Sequence, residues 1–335
     1  LFILSLQKAV SAITDHLTDQ PTGNDAALLR FYLDAMLFTR LAESYGDHSL
    51  FDVPRHARPG SRTLSTLCLR NIVPAPYLAM RFAVAHSATL FSATLSPPRY
   101  YMDLLGLPAG THWLEVESPF SAEQLQVRVV RNVSTRYQHR GGSLEPIGRI
   151  LADQYRHQPG NYLAFFSSYA YLQQVLDHVR IHHPDVPVWE QSRNMSEAER
   201  QAFLERFTES SRGIGFAVLG GAFGEGIDLP GARLIGAFIA TLGLPQVNPI
   251  NEEVRARMHS MFGNGYDYAY LYPGLQKVVQ AAGRVIRTTS DRGMVMLLDD
   301  RFSQPQVRGL LPTWWHVDSF AVSAPARVRK PLPEF

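Results

Sequence analysis

The strongest constraint on the fold is an alternation that sets in near residue 125 and runs to about residue 298. Short β-branched and aromatic runs take turns there with amphipathic stretches of helical period. Residues 126–133 read as a strand, 143–157 as a helix and 162–166 as a short buried strand. A helix follows, with Tyr171, Leu172, Val175, Leu176 and Val179 at helical spacing. Residues 186–189 are the next strand, and Ser196-x-x-Glu199 is a capping box opening a helix to about Thr208. Strands at 214–219, 234–241 and 294–298, with helices at 249–262 and 274–287, complete the pattern. Strands alternating with helices of this length predict an α/β fold, a doubly wound parallel sheet covered on both faces. Ligands of such sheets bind at the carboxyl ends of the strands, so the loops there are where chemistry is expected.

The front of the chain reads differently. Residues 1 to about 46 form two amphipathic helices. The second carries Leu28, Phe31, Ala35, Phe38 and Ala42, with Asn24 or Asp25 as its N-cap. A Pro- and Gly-containing connector follows over 46–62, then short strands at 64–72 and 88–93 flanking a helix near 76–87. With 45% hydrophobic and 19% charged residues the chain has ample material for a core, which excludes fibrous and disordered classes. Its 335 residues allow two domains.

The single cysteine, Cys68, can neither close an intrachain disulfide nor hold zinc or an iron–sulfur cluster by itself. No apolar run is long enough to span a bilayer, and the apolar start lacks a basic leader, so the expectation is a cytoplasmic protein with no membrane partner. The net charge of +2 says little about partners. The basic residues say more: three are lysines (Lys8, Lys277, Lys330) and 29 are arginines. None of the lysines follows a glycine, so the chain has no phosphate-binding G-x-x-x-x-G-K loop.

Four segments carry chemistry. Ser92-Ala93-Thr94-Leu95 follows an apolar run, and small hydroxyl residues there serve as caps in most proteins. Phe165-Phe166-Ser167-Ser168-Tyr169 runs a strand into two hydroxyls at a helix start. Taken alone they fit an N-cap best, and the sharper reading is a seat for a nucleic-acid phosphate. Gly220-Gly221-Ala222-Phe223-Gly224-Glu225-Gly226-Ile227-Asp228 surrounds two carboxylates with glycines, and a plain turn accounts for the glycines but not for the acids. In Gln280-Ala281-Ala282-Gly283-Arg284-Val285-Ile286-Arg287, spacings of i, i+4 and i+7 place Gln280, Arg284 and Arg287 on one face of an otherwise apolar helix. Two arginines on a buried stripe need an anionic partner, and phosphate fits the guanidinium fork. Arg131, Arg136 and Arg140, with Tyr137 among them, form a basic–aromatic segment suited either to phosphate contact and base stacking or to a solvated loop.

In this order the segments resemble motifs III to VI of superfamily-two helicases. G-x-x-x-E-G-I-D and Q-x-x-G-R-x-x-R, followed by Leu297-Leu298-Asp299-Asp300-Arg301-Phe302, look specifically like the XPD/DinG branch. The resemblance covers about residues 60–320. It implies a RecA-like second motor domain over 96–335, the returning part of a first motor domain over 61–95, and the helical end of an arch-like insertion over 1–60. It further implies an ATP-dependent helicase moving 5′ to 3′ on single-stranded or forked DNA in repair or replication. Arg287 and Arg284 would be arginine fingers toward ATP and Gln280 a phosphate-positioning residue. Gly226 and Asp228 would line the nucleotide, with Glu225 ordering the loop. Ser167, Ser168, Tyr169, Arg136 and Tyr137 would contact DNA, and Thr94 would couple nucleotide state to it. The phosphate-binding loop, the D-E-A-H box that holds Mg2+ and any iron–sulfur cluster would belong to a missing N-terminal motor domain, leaving this chain alone inactive. The alternative is a stand-alone, non-catalytic RecA-like nucleic-acid-binding module, and motifs V and VI do not themselves separate DNA from RNA.

Overall fold

The computed structural model describes residues 1–22, 25–56, 64–224 and 227–322. In chain order it begins with α1 (Phe2–Asp19) and α2 (Ala26–Glu43), then β1 (Ser49–Asp52), β2 (Arg55–His56), β3 (Leu64–Ser65) and β4 (Cys68–Asn71). α3 (Ala75–Val84) and α4 (Pro98–Leu105) precede the alternating part: β5 (Leu125–Val130), α5 (Arg140–His157), β6 (Asn161–Phe166) and α6 (Tyr169–His182). Next come β7 (Val188–Glu190), α7 (Glu197–Glu205), β8 (Gly213–Val218) and β9 (Gly236–Ala240). The last elements are α8 (Pro249–Phe262), α9 (Tyr272–Ala282), β10 (Gly293–Leu297), α10 (Pro305–Arg308) and β11 (His316–Phe320).

Two units divide the described residues. One takes those of 1–91, 98–112 and 247–266, and the other those of 92–97, 113–246 and 267–335. In the first, α1 packs along α2, whose N-cap Asp25 accepts a hydrogen bond from the Ala27 amide. β1 and β4 pair antiparallel. α8, though it follows β9 in sequence, is part of this unit and reaches Asp47 with Arg257 at 3.8 Å. The strand expected at 88–93 does not form. Leu90 and Phe91 are exposed, and no described strand pairs with this run; without a ladder partner an apolar segment stays irregular.

The second unit is built on seven of the described strands, all parallel, in the order β11-β5-β10-β9-β6-β8-β7. This is the expected RecA-like α/β sheet. Period-two alternation sends Leu163 and Phe165 of β6 and Val295 and Leu297 of β10 into one core, with α7 and α9. Tyr162, Ala164 and Phe166, with Met294 and Met296, enter the opposite core beneath α5 and α6. Both faces are apolar because both are covered.

The helix expected over 274–287 ends at Ala282 instead. Gly283 caps it, its amide on the Val279 carbonyl at 2.9 Å, and β-branched Val285 and Ile286 follow. The Asp291 carboxylate then accepts the amides of Arg287 and Thr288 at 2.7 and 2.8 Å, which draws the chain away from the helix axis.

Near its start α9 approaches the sheet backbone to backbone. Gly243, after β9, has φ +73°, and a Cβ there would stand 2.4 Å from the Gly274 carbonyl oxygen. Gly243→Ala should therefore cost about 2–4 kcal/mol, combining left-handed strain with overpacking, as read from urea denaturation.

Candidate functional site

Because both faces are apolar, polar side chains gather at the ends of the strands. The loop before β10 carries Arg284 and Arg287, and the stretch before β9 carries Ile227, Asp228 and Pro230. Parallel strands bring these two segments to the amino side of the sheet. Arg284 Nη1 donates to the Ile227 carbonyl at 3.1 Å, and Arg287 Nη2 donates to the same oxygen at 3.0 Å. Arg284 Nη2 also approaches the Gly224 carbonyl at 3.5 Å, and Arg287 Nε lies 3.1 Å from Asp228 Oδ1. The two arginines converge as the spacing suggested, but from a turn beyond the helix end, and their partners are carbonyls and a carboxylate of the glycine-rich loop.

Buried Phe223, Ile227 and Leu229 pin that loop into the core, with the Phe223 ring stacked on Phe203 of α7 at 4.2 Å between centroids. Gln124 fixes the other side: its Nε2 donates to the carbonyls of Thr288, Thr289 and Asp291 at 2.9–3.2 Å. Burial opposes the charge on Asp291, but the amides of Arg287 and Thr288 outweigh it and hold the carboxyl below its ordinary value. What results is an open cleft of 660 Å³ lined by Ile227, Asp228, Pro230, Arg284, Arg287 and Thr288. Two guanidiniums against one carboxylate leave it suited to an anion. Gln280 is half-buried on α9, one turn before Arg284. Glu225 and Gly226 lie outside the described residues.

The opposite, carboxyl ends gather a second group. Ser168 caps α6 and accepts from the Tyr171 amide at 3.3 Å, while Ser167 Oγ accepts from Arg140 Nη2 at 2.8 Å. The Arg140 guanidinium lies over the rings of Tyr137 and Tyr171, 5.3 and 4.8 Å from their centroids. Tyr137 is 83% exposed, whereas burial pushes the Tyr171 phenol up to about 12. Arg136 is tied at 2.6 and 2.8 Å to both Asp300 oxygens, which compensates its charge. Tyr169 lies beneath the Arg193 guanidinium, and its hydroxyl accepts from Gln191 Nε2 at 2.9 Å. The sequence singles out neither Gln191 nor Arg193, since a lone polar residue after a strand has no periodicity to mark it. Thr94 closes a turn on itself, its amide donating to Ser92 Oγ at 3.2 Å.

Asp299, just past β10, is fully buried. It accepts from Arg301 Nε at 2.7 Å and from the Thr135 amide at 3.0 Å, and also holds the Thr135 hydroxyl. Burial alone would raise its carboxyl. The hydrogen bonds and charge of Arg301, with those of Thr135, prevail and lower it. Among the described residues no three His, Cys, Asp or Glu side chains gather as a metal site, and no helix is long and apolar enough to cross a membrane.

Residues 151–318 match the family described as the helicase C-terminal domain. The Methanocaldococcus jannaschii protein named "Probable ATP-dependent helicase MJ0942" is 27% identical over 261 residues, covering 73% of this chain and 39% of its own. The Arabidopsis thaliana general transcription and DNA repair factor IIH helicase subunit XPD is 26% identical over 205 residues, covering 54% of this chain and 26% of its own. The chain thus spans from about a quarter to two fifths of the length of these curated relatives. A solved XPD helicase structure shares the fold, with a TM-score of 0.62 at 18% identity over 96% of this chain and 55% of that one.

Asp299→Asn should destabilise the fold by about 3 kcal/mol, since it removes the buried negative charge that Arg301 faces. The folded carboxyl is depressed, so its contribution is complete above the unfolded value, about pH 4, and fades as pH falls through the lower folded value. Denaturation followed from pH 7 to pH 2 should show a flatter acid limb for the variant than for the wild type.

Proposed function

The chain belongs to the helicase C-terminal domain family, in the form found in XPD-type helicases, and on that premise we propose that it is the second RecA-like motor domain of an ATP-dependent DNA helicase. The observation that carries this reading is the convergence of Arg284 and Arg287 on the Ile227 carbonyl beside Asp228, in a cleft open to an anion. Guanidiniums anchored on backbone oxygens are held in place before any substrate arrives, which is what stabilisation of charge developing in phosphoryl transfer requires. In this reading Arg287, 32% exposed, meets the terminal phosphate of ATP and Arg284 braces it. Gln280 orders the phosphates, Asp228 lines the nucleotide, and the motif assigns Gly226 to the same role and Glu225 to ordering the loop.

ATP is then bound between this chain and a first motor domain, which supplies the phosphate-binding loop and the ligands of Mg2+. Any iron–sulfur cluster belongs to that half as well. The carboxyl ends, with Ser167, Ser168, Tyr169 and Tyr137, take the single-stranded or forked DNA, and Thr94 couples nucleotide state to it. Arg136 orders that edge through Asp300, and Arg140 donates to the Ser167 hydroxyl. Cytoplasmic location is part of the same proposal.

Two measurements test it. The purified chain should bind DNA yet show no DNA-stimulated ATP hydrolysis, and turnover from it alone would refute the division of labour. In the intact protein, Arg287→Ala should lower kcat by a factor on the order of 10³–10⁵ with unchanged thermal stability; near-normal turnover would remove the arginine-finger assignment.

A further inference from the structure

Gln191 is almost fully buried where β7 ends, and its backbone N–H and both polar atoms of its side chain are bonded. Its amide N–H donates to the Phe216 carbonyl at 2.8 Å, extending the pairing with β8. Its side-chain oxygen accepts the Val218 amide at 2.9 Å, and its side-chain nitrogen donates to the Tyr169 hydroxyl at 2.9 Å. One carboxamide thus joins the carboxyl ends of β7 and β8 to the first residue of α6. Gly221 lies beside it: a Cβ there would stand 3.4 Å from the same nitrogen, at ordinary contact distance. Two residues on, the Arg193 guanidinium lies 5.4 Å from the centroid of the Tyr169 ring.

A tyrosine at a loop–helix junction has two side-chain torsions to lose when a base stacks on it. A hydroxyl tethered to a buried amide has lost that freedom already, so the ring is ordered before binding. The charge on Arg193 sits against the same ring, where a base–aromatic stack would place the neighbouring phosphate within reach of a cation.

We propose that Gln191 is a positioning residue for single-stranded nucleic acid, which holds Tyr169, with Arg193 against it, as a preformed stacking platform at the carboxyl edge. This rests on the reading of that edge as the DNA side. Binding of a fluorescein-labelled oligothymidine to the purified chain, followed by anisotropy, tests it with five proteins: wild type, Tyr169→Phe, Gln191→Met, Tyr169→Ala and the double variant Gln191→Met/Tyr169→Ala. Tyr169→Phe keeps the ring and removes only the tether, and Gln191→Met removes the tether from the other side. Each should weaken binding about 3- to 10-fold, Tyr169→Phe at unchanged melting temperature and Gln191→Met with a lowered one, since it also takes the acceptor from the Val218 amide. In the Tyr169→Ala background, Gln191→Met should cause no further loss, because its effect passes through the ring.

An equal loss from Gln191→Met in both backgrounds would show that Gln191 acts on the fold and not through Tyr169. Wild-type affinity in Tyr169→Phe would overturn the tether even if Gln191→Met failed to fold. Absence of salt-sensitive oligothymidine binding by the wild type would overturn the DNA reading of this edge together with the proposal. Binding that persists with uncoupled variants would overturn the positioning role alone.

Discussion

Coverage of the parallel sheet on both faces is the constraint from which the rest of the second unit follows. A strand buried on both sides has no position for a charged side chain along its length, and the interiors of β6, β8 and β9 are apolar apart from Asn161. Chemistry is displaced to the strand ends. Parallel direction then sorts it, because everything preceding a strand collects at one edge and everything following it at the other.

The two edges differ in character. At the amino side, cations are docked on main-chain oxygens and one exposed acid, in a cleft whose walls are pinned by Phe223, Gln124 and Asp291. At the carboxyl side, arginines lie over tyrosine rings, and hydroxyls at the start of α6 are oriented by their neighbours. The buried Asp299 ties the end of β10 to the loop after β5, so the carboxyl edge is a bonded surface more than a set of separate loops. The arginine pair reaches a loop that leaves the carboxyl end of β8 at Gly224 and runs on to the amino end of β9.

Much of this was legible in the residues. Alternating periodicity located β6, β8, β9 and β10 to within a residue or two, since burial on two faces leaves a continuous apolar run. The capping box at Ser196 and the hydroxyl at Ser168 marked helix starts through local hydrogen bonding, which sequence records directly. The spacing of Arg284 and Arg287 gave their convergence but the wrong geometry for it. The deciding carboxylate, Asp291, acts across a turn that helical spacing does not describe. Membership of α8 in the first unit was hidden because it depends on contacts distant in sequence. The apolar run at 88–93 looked like a strand for the complementary reason: pairing needs a neighbour, and hydrophobicity does not reveal one. Gln191 was missed since its value lies in what it reaches, not in its surroundings along the chain.

The close approach of Gly243 to Gly274 has a mechanical consequence. It seats the start of α9 directly on main chain just past the carboxyl end of β9. The 11 residues of α9 then cross the sheet and end at the arginine-bearing turn on the opposite side, a span of about 16 Å at the usual helical rise. An α-helix transmits a push along its axis with little compression. A displacement of the backbone beside β9 would therefore bear first on the start of α9, the helix whose far end leads into the turn of Arg284 and Arg287.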